Sequence, residues 1–119
     1  MIPKNWRYIR GDIYYANMKP HVGSEQGGER PVVVLQNDTG NKHSPTLIIA
    51  TLTSKVDKKL NLPTHVLLKR NPGLKVPSIV QLEQIFTIDK CRVQRFAGQA
   101  SSEEMDRIKA ALKISLAIN

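Results

Sequence analysis

The sequence predicts a mainly β fold with helices: a small, strongly bent antiparallel sheet or barrel with a helix packed on it. Three observations carry this. Five or six short segments rich in Val, Ile, Leu, Thr and aromatic residues alternate with Gly, Pro and Asn punctuation. One helical pattern follows them, opened by Ser101-x-x-Glu104, the capping-box spacing in which each side chain satisfies an orphan amide. The chain has 119 residues, 40% of them apolar, which suits one domain (1–119) with one modest core.

The elements follow in order. Residues 1–9 form an arm that Trp6 and Tyr8 tack to the body. A first strand of β-branched and aromatic type covers 13–18 and ends at Lys19-Pro20. A loop at about 21–30 carries glycines at 23, 27 and 28, with Ser24, Glu25 and Gln26 set among them. Arg30 stands where that loop becomes a strand, and Pro31 suits a first strand position because no ladder donor is needed there. The second strand is placed at 31–37. Asn37-Asp38-Thr39-Gly40-Asn41 is a turn by composition, prolonged by His43-Ser44-Pro45. Residues 46–53 make a third, mostly apolar strand. A basic loop holds Lys55, Lys58 and Lys59 against Asp57, and Leu62-Pro63 closes it. Strands at 64–69 and 78–88 flank a turn at 70–73. In the second half of the longer one, alternation sets Leu82, Gln84 and Phe86 opposite Glu83, Ile85 and Thr87. One helical turn at 89–93 and a short strand at 94–98 lead to the capped helix. Met105, Ile108, Leu112 and Leu116 make its apolar stripe, with Lys109 and Lys113 off it.

Charge and composition bound the function. Lys and Arg total 18 against 10 Asp and Glu, a formal net charge of +8 that favours a polyanionic partner, nucleic acid first. No apolar run approaches the roughly 20 residues of a membrane span, and the N-terminus lacks the apolar segment of a secretory signal. Cys91 is the single cysteine, so no internal disulfide forms and a reducing cytoplasm fits. Its neighbours Lys90 and Arg92 would favour a thiolate, but no Cys–His signature accompanies it. Neither paired histidines at ligand spacing nor a carboxylate cluster suggests a metal, and no cofactor motif is present: the glycines of 23–28 do not link a strand to a helix.

A polar loop that ends in an arginine and is fixed to a core strand is a natural place for a site. The segment GSEQGGERPVVVLQND, with RGDIYYANMKP before it and TGNKHSPT after it, resembles the MazF/PemK family of toxin endoribonucleases. The similarity continues through LPTHV (62–66), LEQIFTID (82–89) and LKISL (112–116), and so covers nearly all of the chain from Arg10. The resemblance implies an SH3-like barrel of the CcdB/PemK kind, a homodimer, single-stranded RNA (mRNA) as substrate, and a cognate MazE-like antitoxin with an acidic tail. It also implies that Arg30 and Thr53 match the family's catalytic arginine and threonine, and Glu25 its functional glutamate.

The chemistry agrees with those positions. RNA is cut without a metal when its 2′-hydroxyl attacks phosphorus, giving a 2′,3′-cyclic phosphate and a 5′-hydroxyl. The enzyme must move two protons and stabilise added charge on the phosphate. Arg30 is the phosphate clamp, and Thr53 is a donor if the second and third strands are neighbours. Glu25 is the reasonable base. Arginine as general acid and His65 as a titrating group remain alternatives, the latter also readable as a strand histidine with a satisfied hydrogen bond. With aromatic content at 5%, readout of unpaired bases would rest on hydrogen-bonding groups. Ser24, Gln26, Asn37, Thr64, His65 and Gln84 are the candidates, with Leu62-Pro63 as an apolar shelf and Lys55 on a flanking phosphate. Two other classes stay open: a gyrase poison on the CcdB-like barrel, and a basic RNA-binding module without catalysis.

Overall fold

The computed structural model describes residues 2–19, 28–56, 62–69 and 71–119. Ser24, Glu25 and Gln26, like His21, Asp57, Lys58 and Lys59, lie outside the described residues. Strands β1 (Asp12–Asn17), β2 (Glu29–Val34), β3 (Thr46–Thr53), β4 (His65–Leu68), β5 (Ser78–Asp89) and β6 (Val93–Gln99) join in one antiparallel sheet. Its order is β4-β5-β3-β2-β1-β6. The sheet is bent but its ladder does not close, so the expected barrel is an open one, with β4 and β6 as its edges among the described residues. Helix α1 (Asp38–His43) links β2 to β3, a single 3-10 turn (Lys90–Arg92) links β5 to β6, and α2 (Ser102–Leu116) ends the fold.

Alternation along the strands builds two apolar layers. Ile13, Val33, Ala50, Leu52, Val80 and Leu82 face α2, which contributes Ile108 and Ala111. Tyr14, Val32, Val34, Leu47, Ile49 and Ile88 face the other way and are covered by the N-terminal arm through Tyr8, Trp6 and Ile2. Cover on both faces explains why the second and third strands read as continuous apolar runs. The Trp6 Nε1 donates to the Tyr14 hydroxyl at 2.7 Å, and that hydroxyl donates to Asp12 Oδ2 at 2.6 Å, which fixes the arm as expected. The arm covers only part of its face. The remainder, toward the start of β2 and the end of β3, is left open.

Four expectations are corrected. Residues 37–41 are not a plain turn: Asn37 accepts from Gly40 N–H at 2.7 Å and so caps α1, a helix too short for any periodic signal. The second strand spans Glu29–Val34 rather than 31–37, because the β1–β2 hairpin pairs Ala16 with Arg30 and Asn17 with Glu29. Arg30 therefore lies inside the ladder. On β5 the register jumps from Ile85 opposite Ala50 to Gln81 opposite Thr51, so residues 82–84 bulge. The bulge returns Ile85 to the α2 side with Leu82, against the expected alternation, and keeps Gln84 and Phe86 on the open face. The stripe of α2 ends early: Met105, Ile108 and Leu112 pack, whereas Leu116 is 52% exposed in the last turn. The capping box stands as read, with Ser101 Oγ accepting from Glu104 N–H at 3.0 Å and Glu104 Oε1 from Ser101 N–H at 2.8 Å.

Candidate functional site

The ladder between β2 and β3 sets the site. Val32 pairs with Thr51 and Val33 with Ala50. Continued two residues toward the open end, that antiparallel register puts Arg30 opposite Thr53. Both share the strand parity of Val32, Thr51 and Ile49, so both belong to the face that α2 does not cover. Arg30 is exposed and divides two clefts. One, of about 390 Å³, holds Thr53, Ser54, Lys55 and Lys75. The other, of about 550 Å³, holds Thr51, Gln81, Gln84 and Phe86, with Lys19 and Arg92 at its edge.

The groups here suit an anion. The Thr53 hydroxyl accepts from Lys55 N–H at 3.2 Å, which leaves its own hydrogen for another acceptor. Glu29, the carboxylate bordering the smaller cleft among the described residues, is held by Arg95 at 3.0 and 3.4 Å, and that guanidinium lies 4.0 Å over the Tyr15 ring. Its charge is thereby partnered, and the lysines and Arg30 set the sign of the local field. Among the described residues no group of three or more His, Cys, Asp or Glu is placed to hold a metal ion.

A second polar cluster borders the β5 bulge. Thr64 Oγ1 donates to Glu83 Oε1 at 2.9 Å, and His65 Nε2 meets Glu83 Oε2 at 2.8 Å. Burial pushes the Glu83 carboxyl up, but the hydrogen bonds from His65, its own amide and Thr64 outweigh it and hold the group below its ordinary value. The His65 side chain is only 5% exposed, and its Nδ1 is buried without a partner among the described residues. His65 faces Gln81, and Gln81 in turn faces Thr51, whose hydroxyl donates to Gln81 Oε1 at 3.2 Å. Glu83 thus ties the Leu62-Pro63-Thr64 corner, where Leu62 is 45% exposed, to the strand that carries Gln84.

The sequence candidates therefore divide. Arg30, Thr53, Lys55 and Gln84 line the two clefts; His65 reaches the larger one from β4 by facing Gln81, Thr64 is tied to it through Glu83, and Leu62 and Pro63 are exposed just before β4. Asn37 lies beyond the far end of β2, with its side chain engaged as the α1 cap. Ser24, Glu25 and Gln26 belong to the segment between Lys19 and Gly28, outside the described residues. Sequence reasoning passed over Thr51, Gln81 and Phe86. Phe86 is 41% exposed on the wall of the larger cleft. Only the strand register, which pattern reading does not supply, would have placed Thr51 and Gln81.

Comparison with known proteins identifies the family and the fold. A profile of PemK-like, MazF-like toxins of type II toxin-antitoxin systems matches residues 9–116. The chain is 49% identical to Endoribonuclease EndoA of Bacillus subtilis (strain 168) over 110 residues, 92% of this chain and 94% of that one. Two solved structures share the fold at lower identity. One is a MazE-MazF crystal structure (Form-II) from Deinococcus radiodurans, with TM-score 0.78, 22% identity, and coverage of 96% of this chain and 99% of that one. The other is an endoribonuclease from Mycobacterial species, with TM-score 0.77, 20% identity, and coverage of 98% and 97%.

Proposed function

The chain belongs to the PemK-like, MazF-like toxins of type II toxin-antitoxin systems, and from that premise we propose that it is a metal-independent, sequence-specific endoribonuclease that cuts single-stranded mRNA and so arrests translation and growth. The observation that carries this reading is that Arg30 and Thr53 line one cleft at the open end of the antiparallel β2–β3 pair, where the bordering carboxylate among the described residues, Glu29, is already held by Arg95.

The ribose 2′-hydroxyl attacks the adjacent phosphorus, and the P–O5′ bond breaks in line. Arg30 holds two phosphate oxygens by its planar fork, and Thr53 donates its free hydrogen to the same group. The 2′-proton passes to a base, for which Glu25 has the right chemistry, and the departing 5′-oxygen takes a proton from the site. The products are a 2′,3′-cyclic phosphate and a 5′-hydroxyl. Bases next to the cut lie over Phe86 and the Leu62-Pro63 shelf, with Gln81, Gln84, Thr64 and the Ser24-Gln26 segment reading their edges and Lys55 on a flanking phosphate. The working form is a cytoplasmic homodimer, silenced by a MazE-like antitoxin whose acidic tail competes for the same cations. Among the described residues, no helix is long and apolar enough to cross a membrane.

The test is incubation with a long single-stranded RNA in EDTA. Discrete cuts ending in cyclic phosphate, lost in folded Arg30→Ala and Thr53→Ala proteins, support the proposal. Binding without cuts makes the chain an RNA-binding module, and inhibition of gyrase supercoiling without cuts makes it a CcdB-like poison.

A further inference from the structure

Where the arm covers the other end of this face, a second concentration of positive charge stands that the cleavage site does not use. A cleft of about 500 Å³ sits there between the N-terminal arm, α1 and the 3-10 turn. Four of its eight lining residues are cationic (Lys4, Arg7, Lys42 and Lys90), and none is acidic. The fold builds one of these cations in. Lys90 Nζ donates to the Asn41 carbonyl at 2.6 Å and lies 5.2 Å from the Tyr8 ring centroid, while Lys90 N–H donates to the Pro45 carbonyl at 2.9 Å. Lys42 sits in the last turn of α1, and Lys4 and Arg7 are exposed on the arm. Among the described residues, these three make no ion pair. A second cleft of about 590 Å³ shares Lys4, Tyr8 and Lys90 and runs toward Cys91 and Gln94. The 3-10 turn joins it to Arg92, at the edge of the cleft that holds Arg30.

We propose that this cleft is an exosite for the phosphates of single-stranded RNA, holding the substrate at a distance from the cut. The proposal rests on the endoribonuclease reading above. Pro45 immediately precedes β3 and Thr53 ends it, so the cleft lies roughly 26 Å from Thr53 at strand rise. A strand following the clefts passes Lys19, Arg92 and Lys90 on the way. Neighbouring cations repel one another, and a row of phosphates relieves that repulsion while releasing counterions. Few exposed rings line the path, so the contact is to backbone and independent of sequence.

The test compares two oligonucleotides made uncleavable by a 2′-deoxy residue at the cut: a short one covering the cleavage motif, and one extended by about ten nucleotides on either side, within the site sizes of single-strand grooves. The protein carries K4A, R7A and K42A together, leaving Lys90 in place, and its urea midpoint is checked. The variant should bind the long RNA more weakly, with the slope of log affinity against log salt reduced by about 2 for three lost contacts. The short RNA should bind as it does to the unaltered protein. The exchange K4R, R7K and K42R should restore the long-RNA affinity. Equal losses on both RNAs, or none on either, overturn the exosite. Loss of polyglutamate binding with long-RNA binding intact also overturns it, and gives the cleft to an acidic protein partner. Absence of cleavage by the unaltered protein would defeat the nuclease reading alone, since the binding comparison stands without it.

Discussion

Thr53→Val is the sharpest probe of the site. Valine keeps the β-branched shape that strand β3 accepts and removes only the hydroxyl. That hydroxyl takes Lys55 N–H at 3.2 Å on an exposed stretch, so water replaces it and folding loses about 1 kcal/mol or less. The loss to catalysis is larger. A single fixed donor to a charge that develops in the transition state contributes about 2.7–4 kcal/mol, which is about 100- to 1,000-fold in rate. Single-turnover cleavage should fall by that factor while the affinity for an uncleavable 2′-deoxy substrate changes little. Arg30→Ala should be at least as severe. The double variant decides the geometry. Two groups on one phosphate act as a unit, so the joint loss should be smaller than the product of the separate losses. A joint loss equal to the product, or a Thr53→Val protein that cuts at near the unaltered rate, would refute the shared grip.

Three further outcomes concern the frame around the site. Tyr14→Phe removes a 2.6 Å bond to the buried Asp12 carboxylate and strands the Trp6 N–H; it should cost about 1.5–3 kcal/mol in urea unfolding and loosen the arm. Glu83 has a folded pKa below its unfolded one, so its cluster contributes stability above the unfolded value and loses it as pH falls through the folded value. Glu83→Gln should therefore flatten the fall in unfolding midpoint on the acid side of the carboxylate range, and an unchanged slope would remove Glu83 from the cause. A Cβ on Gly73 would run into the Ala97 carbonyl of β6, so Gly73→Ala should cost about 2 kcal/mol or more and disturb the cleft wall at Lys75 and Val76, seen as a lower midpoint with slower cleavage.

Much of the frame was legible because local signals and tertiary context agreed. The apolar run of Thr46–Thr53 and the Ser101–Glu104 box gave β3 and α2 their correct starts. The expectation that the strands of Arg30 and Thr53 are antiparallel neighbours rested on their short connection, and β2 and β3 do pair in that sense. The misses share one physical cause: they depend on contacts distant in sequence. The bulge at 82–84 follows from the pairing of β5 with β3, and a period of two cannot see an insertion. Asn37 looked like a base reader because a carboxamide serves a helix cap and a nucleobase equally well. Gln81 and Thr51 gained their place by facing each other across the sheet.

If Arg30 and Thr53 form the proposed grip, their place at the open end of β2 and β3 separates cutting from choosing. Those two side chains stand on rigid neighbouring strands, whereas the shelf at Leu62-Pro63 and the bulged Gln84 belong to a corner that Glu83 clips on from outside. On the proposed reading, remodelling that corner would send the same blade to a different message without disturbing the scissile geometry.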